Sequence, residues 1–206
     1  MATEKTSNTA LTTEYEFLRH TDDSSELHTR CHTPLPDSSD AAAFSRATAL
    51  LEAVAGNMST PVEDRVYLAE TMPYPNILVK LSTDPEARVR AAVAANTSSK
   101  DWLVGRLTKD EDSVVRAKAL TNPVTSWRMR MEGAEDEHTE TDTLRYLASL
   151  GTEEDSKAPA VLAAMVRRAV AENPHTDDET LDTLTHDSSP DVAHAAVRMQ
   201  EKRRTA

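Results

Sequence analysis

One phrase recurs along this chain at a fixed interval, and that interval limits what the chain can fold into. Leu81-Ser82-Thr83-Asp84, followed by Val89-Arg90-Ala91-Ala92-Val93-Ala94-Ala95-Asn96, returns with Leu107 in the place of Leu81 and Val115 in the place of Val89. There it reads Leu107-Thr108-Lys109-Asp110 and Val115-Arg116-Ala117-Lys118-Ala119-Leu120-Thr121-Asn122. Val166-Arg167-Arg168-Ala169-Val170-Ala171-Glu172-Asn173 repeats the second half. Val192-Ala193-His194-Ala195-Ala196-Val197 repeats it again, and the step from Val166 to Val192 equals that from Val89 to Val115. A period of this size marks stacked helical units, each unable to bury its apolar face without a neighbour. The expected fold is therefore all-α.

Each unit follows one logic. A short helix buries two large residues: Leu78 and Leu81, Val104 and Leu107, Leu181 and Leu184. A capping turn follows, Asp84-Pro85 or Ser189-Pro190, with proline at the first helical position. The longer helix then turns a branched residue and alanines inward, as with Val89, Ala92 and Val93, and the small alanines let helices approach closely. Asn96, Asn122 and Asn173 end these helices, where asparagine tolerates left-handed backbone and bonds nearby main chain. Upstream, 41–55 reads as a helix with Phe44, Ala47, Leu51 and Val54 on one face. Thr60-Pro61-Val62-Glu63 and Thr176-Asp177-Asp178-Glu179 are capping boxes.

Three stretches depart from the period. Residues 1–16, rich in Thr, Glu, Ser and Asn, read as a flexible arm ahead of a single repeat domain over 17–206. Residues 17–36 are equally compatible with a worn first repeat and with none. The interval from Asn122 to Asn173 falls just short of two periods. We read that interval as one repeat carrying acidic insertions at 132–143 and 151–158; the alternative places an additional helix at 126–131.

The chain carries a net charge of −12, which argues against general attraction to nucleic acid or an anionic membrane. Residues 81–131 nevertheless hold nine basic and six acidic side chains, so nucleic-acid binding through this block is the second reading. Cys31 is the sole cysteine, which excludes an internal disulfide and any four-cysteine metal site. With no signal-peptide core and no apolar run of about 18 residues, a cytoplasmic location is expected. No phosphate loop, nucleophile elbow or metalloprotease helix is present, so no enzymatic activity, no small-molecule substrate and no cofactor are inferred.

The pattern Leu-x-x-Leu, Asp, Val-Arg-x-x-Val-Ala-x-Asn resembles the leucine-rich repeat variant family of bacterial α-solenoids, and is similar to the broader HEAT-like class. Agreement is strongest over 78–96, 104–122 and 166–184. The resemblance implies alternating helices of unequal length wound into a right-handed α-solenoid, and the extended surface that stacked helix pairs create is expected to serve as a non-enzymatic scaffold. Some members of that family hold an iron–sulfur module on a cysteine cluster, which Cys31 alone cannot supply. The catalytic acid of HEAT-like DNA glycosylases has no counterpart here.

A partner protein is the expected ligand. Arg90, Arg116 and Arg167 follow the inward valine, and stacking would align them as a ladder suited to carboxylates. The competing reading is a structural ladder paired with neighbouring acidic turns. Trp102 is a candidate anchor, set against simple packing between repeats, and Trp127 beside Arg128 to Met131 is another. His28, Cys31 and His32, with His20 as a fourth, are candidate metal ligands set against an exposed polar segment, and no metal site is inferred. The acidic run Glu135 to Asp142 lacks the order of a calcium loop and reads as a solvated insertion.

Overall fold

The computed structural model describes residues 2–152 and 158–205, with side chains described from residue 10. Among the described residues there are thirteen helices and no strand. Where the sequence suggests a single repeat domain over 17–206, the contacts group the chain into two compact units, Met1–Leu103 and Val104–Ala206. A chain built from repeats that touch only their neighbours has no central core to unite it.

The first unit holds α1 (Ala2–His20), α2 (Ser24–His32), α3 (Ala41–Ala55), α4 (Val62–Thr71), α5 (Pro75–Leu81) and α6 (Ala87–Ala95), and the unit boundary falls within α7 (Asp101–Leu107). These helices form two rows: α1, α3 and α5 pack in succession, as do α2, α4 and α6, and α2·α3, α4·α5 and α5·α6 join the rows. The second unit holds α8 (Ser113–Thr121), α9 (Trp127–Glu135), α10 (Thr141–Ser149), α11 (Ala160–Glu172), α12 (Asp178–Thr185) and α13 (Pro190–Thr205). Here α9, α11 and α13 form one row and α8, α10 and α12 the other. Within each unit the architecture is that of an α-solenoid: successive helices of a row pack on one another.

The expected arm over 1–16 is instead part of α1. Leu18 is fully buried, and Glu14 holds Arg46 at 2.5 Å and Arg30 at 3.2 Å, partners on other helices. Residues 17–36 supply the end of α1 and all of α2, whose N-cap Asp23 accepts from the N–H groups of Ser25 and Glu26.

The interval 122–173 also differs from the expected insertion. α9 and α10 occupy most of 127–149, so the additional-helix alternative is the one realised, and the helix runs further than 126–131. α9 ends on a copy of the turn that closes α3, α6, α8 and α11. Ser or Thr hydroxyls donate to the carbonyl six residues back: Thr60 to Val54 at 2.7 Å, Ser99 to Val93 at 2.9 Å, Thr139 to Gly133 at 2.7 Å and Thr176 to Val170 at 2.6 Å. Thr125 does the same with Ala119. In four of these turns the residue three places earlier is asparagine; in α9 it is Asp136. Asp136 accepts the His138 N–H at 2.9 Å, and that backbone bond holds its carboxyl below the usual range. Of the second expected insertion, residues 153–157 lie outside the described residues. Gly151 before them adopts φ +71°, the left-handed region in which a Cβ is strained.

The asparagines do not serve as left-handed caps. Asn96, Asn122 and Asn173 have φ between −67° and −76° with extended ψ. Three amides of this kind stitch helices of one row together. Asn57 Nδ2 at the end of α3 donates to Leu18 and Thr21 carbonyls at the end of α1, at 2.8 and 2.9 Å. Asn96 does so from α6 to Ala69 and Met72 of α4, at 2.7 and 3.0 Å. Asn173 does so from α11 to Ala134 and Asp136 of α9, at 2.8 and 3.0 Å. Each Oδ1 in turn accepts the N–H two residues on. Carbonyls at a helix C-terminus lack intrahelical partners, and this amide satisfies them where water is excluded.

Candidate functional site

The arginines of the repeat phrase point inward or across turns. Arg167 is buried, 3% exposed, with Nε 2.6 Å and Nη2 3.0 Å from the Asp187 carboxylate at the start of α13. Its Nη1 donates to the Leu150 carbonyl at 2.7 Å. Arg90 is also buried and donates from Nη1 to the Asp84 and Pro85 carbonyls. Arg116, half-buried, gives Nη1 to Asp110 and Glu111 carbonyls and Nη2 to that of His138.

Arg65 completes the pattern. Its Nε lies 2.8 Å from Asp84 at the start of α6, and its Nη1 is held by the Thr60 carbonyl. Arg65 to Asp84 and Arg167 to Asp187 are the same device: a guanidinium on one helix reaches the acidic turn that opens the next helix in its row. Arg65 escapes a reading by repeats because α4 begins Val62-Glu63-Asp64 and ends without asparagine. The available signal is its place before Arg90, within one residue of a full period. Arg130 on α9 follows Arg116 by little more than half a period and is buried as well. It donates to the Asn122 carbonyl, and the Trp127 ring lies 4.8 Å from its guanidinium carbon.

Trp127 is half-buried and packs against the core of the second unit. Trp102 is 55% exposed on α7. The outer face of α11 is also apolar: Val161 (74% exposed), Leu162 and Met165 stand within about one turn of each other. One and two turns further along that face, Arg168 and Glu172 pair at 3.2 Å.

The basic residues of 81–131 are interleaved with acids. Arg88 makes a two-pronged pair with Glu63 at 2.8 and 3.0 Å, and Arg128 and Lys109 both reach Glu132. Glu132 is held below the usual carboxyl range, chiefly by the Arg128 hydrogen bond.

Near the N-terminal end, His28 and His32 of α2 converge on Asp64 of α4. His28 Nδ1 lies 3.0 Å from both Asp64 oxygens, and His32 Nε2 lies 2.9 Å from Oδ1. The His28 and His32 rings are 4.6 Å apart, and Tyr67 stacks on His32 at 4.5 Å. Cys31 turns the other way: it is buried, and burial, helped by the Asp64 charge, pushes its thiol up to about 12. His20 is not part of this group; its Nε2 lies 3.3 Å from Glu16. Sequence spacing shows two histidines one turn apart but cannot show the distant carboxylate of Asp64 between them.

A hollow of about 70 Å³ between α2 and α3, lined by Arg30, Leu35, Leu50 and Leu51, is smaller than the few hundred Å³ that enclose a small molecule. A wider furrow runs between α10 and α12 past Arg145, Ser149, Glu179 and Thr183. At its lip Arg145 is 2.9 Å from both Asp142 and Asp177.

The leucine rich repeat variant family model matches residues 164–189, a span of one repeat that includes Arg167, Asn173, Thr176 and Asp187. No curated protein matches the chain. Among solved structures, an engineered protein is 19% identical, with 98% of this chain and 91% of that one covered and a TM-score of 0.25. A designed armadillo repeat protein is 15% identical, with 94% and 91% covered and a TM-score of 0.22. The chain is a helical repeat protein, and one of its repeats is similar to the leucine rich repeat variant family.

Proposed function

We propose that this repeat protein is a non-enzymatic scaffold that binds another protein, through the exposed apolar side chains of α11 and, separately, through Trp102. The observation that carries this reading is the division of labour between the two faces of the long helices. Arg65, Arg90 and Arg167 serve turns and neighbouring helices from inside. Val161, Leu162 and Met165 are exposed on the outer face of α11. A cluster of large apolar groups with a charged pair beside it has the composition of a protein contact, an apolar centre with a polar rim. Trp102 is the single large aromatic of α7 and has the amphipathic character of an anchor. Arg116, half-buried and donating to the Asp110, Glu111 and His138 carbonyls, is engaged in turns rather than in the proposed contact.

The nucleic-acid reading has less support, because Arg88, Arg128 and Lys109 each have a carboxylate within 3.4 Å. No helix of the described residues is long and apolar enough to cross a membrane. Affinity capture with quantitative mass spectrometry tests the proposal, comparing wild type with Val161→Asp/Met165→Asp and with Trp102→Ala. One protein recovered by wild type and lost from a variant of unchanged circular dichroism supports it. Recovery indifferent to both variants, or abolished by nuclease, overturns it.

A further inference from the structure

We propose that His28, His32 and Asp64 form a binding site for a divalent transition-metal ion, with zinc the best match, which clips α2 to α4. Two histidines four residues apart stand one above the other on a helix, so both rings reach one point beside α2. α4 places a carboxylate at that point: Asp64 has 6% of its side chain exposed and hydrogen-bonds to both imidazoles. One ligand atom from each residue lies within 4.8 Å of the other two.

Zinc bonds of roughly 2.0–2.2 Å in a tetrahedron hold ligand atoms about 3.3 Å apart. The nitrogen–oxygen separations of 2.9 and 3.0 Å therefore need to open by only a few tenths of an ångström. His28 and His32 have 60% and 40% of their side chains exposed, so ring rotation meets little resistance. In a neutral imidazole the proton facing Asp64 moves to the outward nitrogen, and the ion takes its place between nitrogen and carboxylate. Two imidazoles and one carboxylate favour zinc and its first-row neighbours over calcium or magnesium, which require more oxygens.

The surroundings complete the site. Tyr67, one turn beyond Asp64 on α4, stacks on His32 and limits the tilt of its ring. The exposed side of both imidazoles leaves the fourth position to water. Cys31 lies between the histidines in sequence but faces the interior, so the ligand set contains no thiolate. An ion held by α2 and α4 joins adjacent members of one row. The competing account is a plain carboxylate–imidazole hydrogen-bond cluster with no affinity for metal beyond that of surface histidines.

Untagged full-length protein, stripped with chelator, is titrated with cobalt followed by visible absorption, and then with zinc in calorimetry. The expected result is one ion per chain, tetrahedral cobalt absorption without a thiolate charge-transfer band, and at least a tenfold loss of zinc affinity in both His28→Gln and His32→Gln. These positions are exposed, so the variants retain wild-type circular dichroism. His20→Gln leaves affinity unchanged. Zinc at 100-fold excess over its wild-type dissociation constant raises the wild-type unfolding midpoint by about 6 °C and that of His32→Gln by no more than about half as much. No stoichiometric binding, equal binding by His32→Gln, or a thiolate band overturns the proposal.

Discussion

The stretch from α5 to α8 and the stretch from α8 to α11 use the same parts in different order. In the first, short and long helices alternate, and turns of the asparagine type alternate with acidic turns at Asp84 and Asp110, whose carboxylates accept the N–H two residues on. In the second, α8 and α9 are both helices of the long type, with Arg116 and Arg130 little more than half a period apart, and two turns of the asparagine type follow in succession. α8 then shares its row with α10 and α12, which carry the Leu-x-x-Leu pairs Leu144/Leu147 and Leu181/Leu184, while α9 shares its row with α11 and α13. The alternation is thus dispensable. What α6, α8, α9 and α11 share is an arginine bonded within the stack and a closing turn whose hydroxyl returns to the carbonyl six residues back.

The comparison breaks most sharply at the arginines. Arg167→Ala leaves Asp187 buried without its cation, an expected cost of about 3–5 kcal/mol in urea unfolding. Arg88→Ala removes a comparably short but fully exposed pair and leaves the midpoint unchanged. Similar losses for both would mean that burial does not distinguish the two kinds of arginine.

Asn173→Ala strands the Ala134 and Asp136 carbonyls, which predicts a loss of about 1–3 kcal/mol and faster hydrogen exchange at the end of α11. Gly133→Ala sharpens the contrast from the irregular side. A Cβ there falls on the Leu120 side chain, so α9 cannot seat against α8 unchanged, and a cost of about 1–3 kcal/mol follows. If α9 were a solvated insertion, the same substitution would be neutral or stabilising.

The smallest effect is on pH dependence. Cys31, with its thiol raised from 9.0 to about 12 in the folded chain, ionises first in the unfolded chain. Its contribution is full below about pH 9 and is lost as pH rises towards 12. Cys31→Ala flattens that alkaline decline, and alkylation of native wild type at neutral pH is slow.

Much of this is legible where the period is intact. Leu78, Leu81, Val89, Val93, Leu181 and Leu184 are buried as their spacing requires. α1 is not legible, because what orders Glu14 is Arg30 and Arg46 on other helices, a relation no local composition displays. α9 is obscured by its own charge: Glu135, Asp136 and Glu137 suggest a loop, while Asp136-x-x-Thr139 repeats the Asn-x-x-Ser/Thr turn with one substitution. The asparagines are recognisable as helix ends, but their amides act over 24 to 39 residues and local rules of capping do not reach that far. The candidate surface is legible only as a set of side chains that could be exposed, since inward and outward arginines look alike in sequence.

A double-mutant cycle at Arg167 and Asp187 tests most directly whether the repeat's arginines bind the stack together from within. The account predicts a coupling energy of about 3 kcal/mol, with Arg167→Met/Asp187→Leu recovering most of the stability lost in either single variant. Additivity within about 0.5 kcal/mol would contradict it.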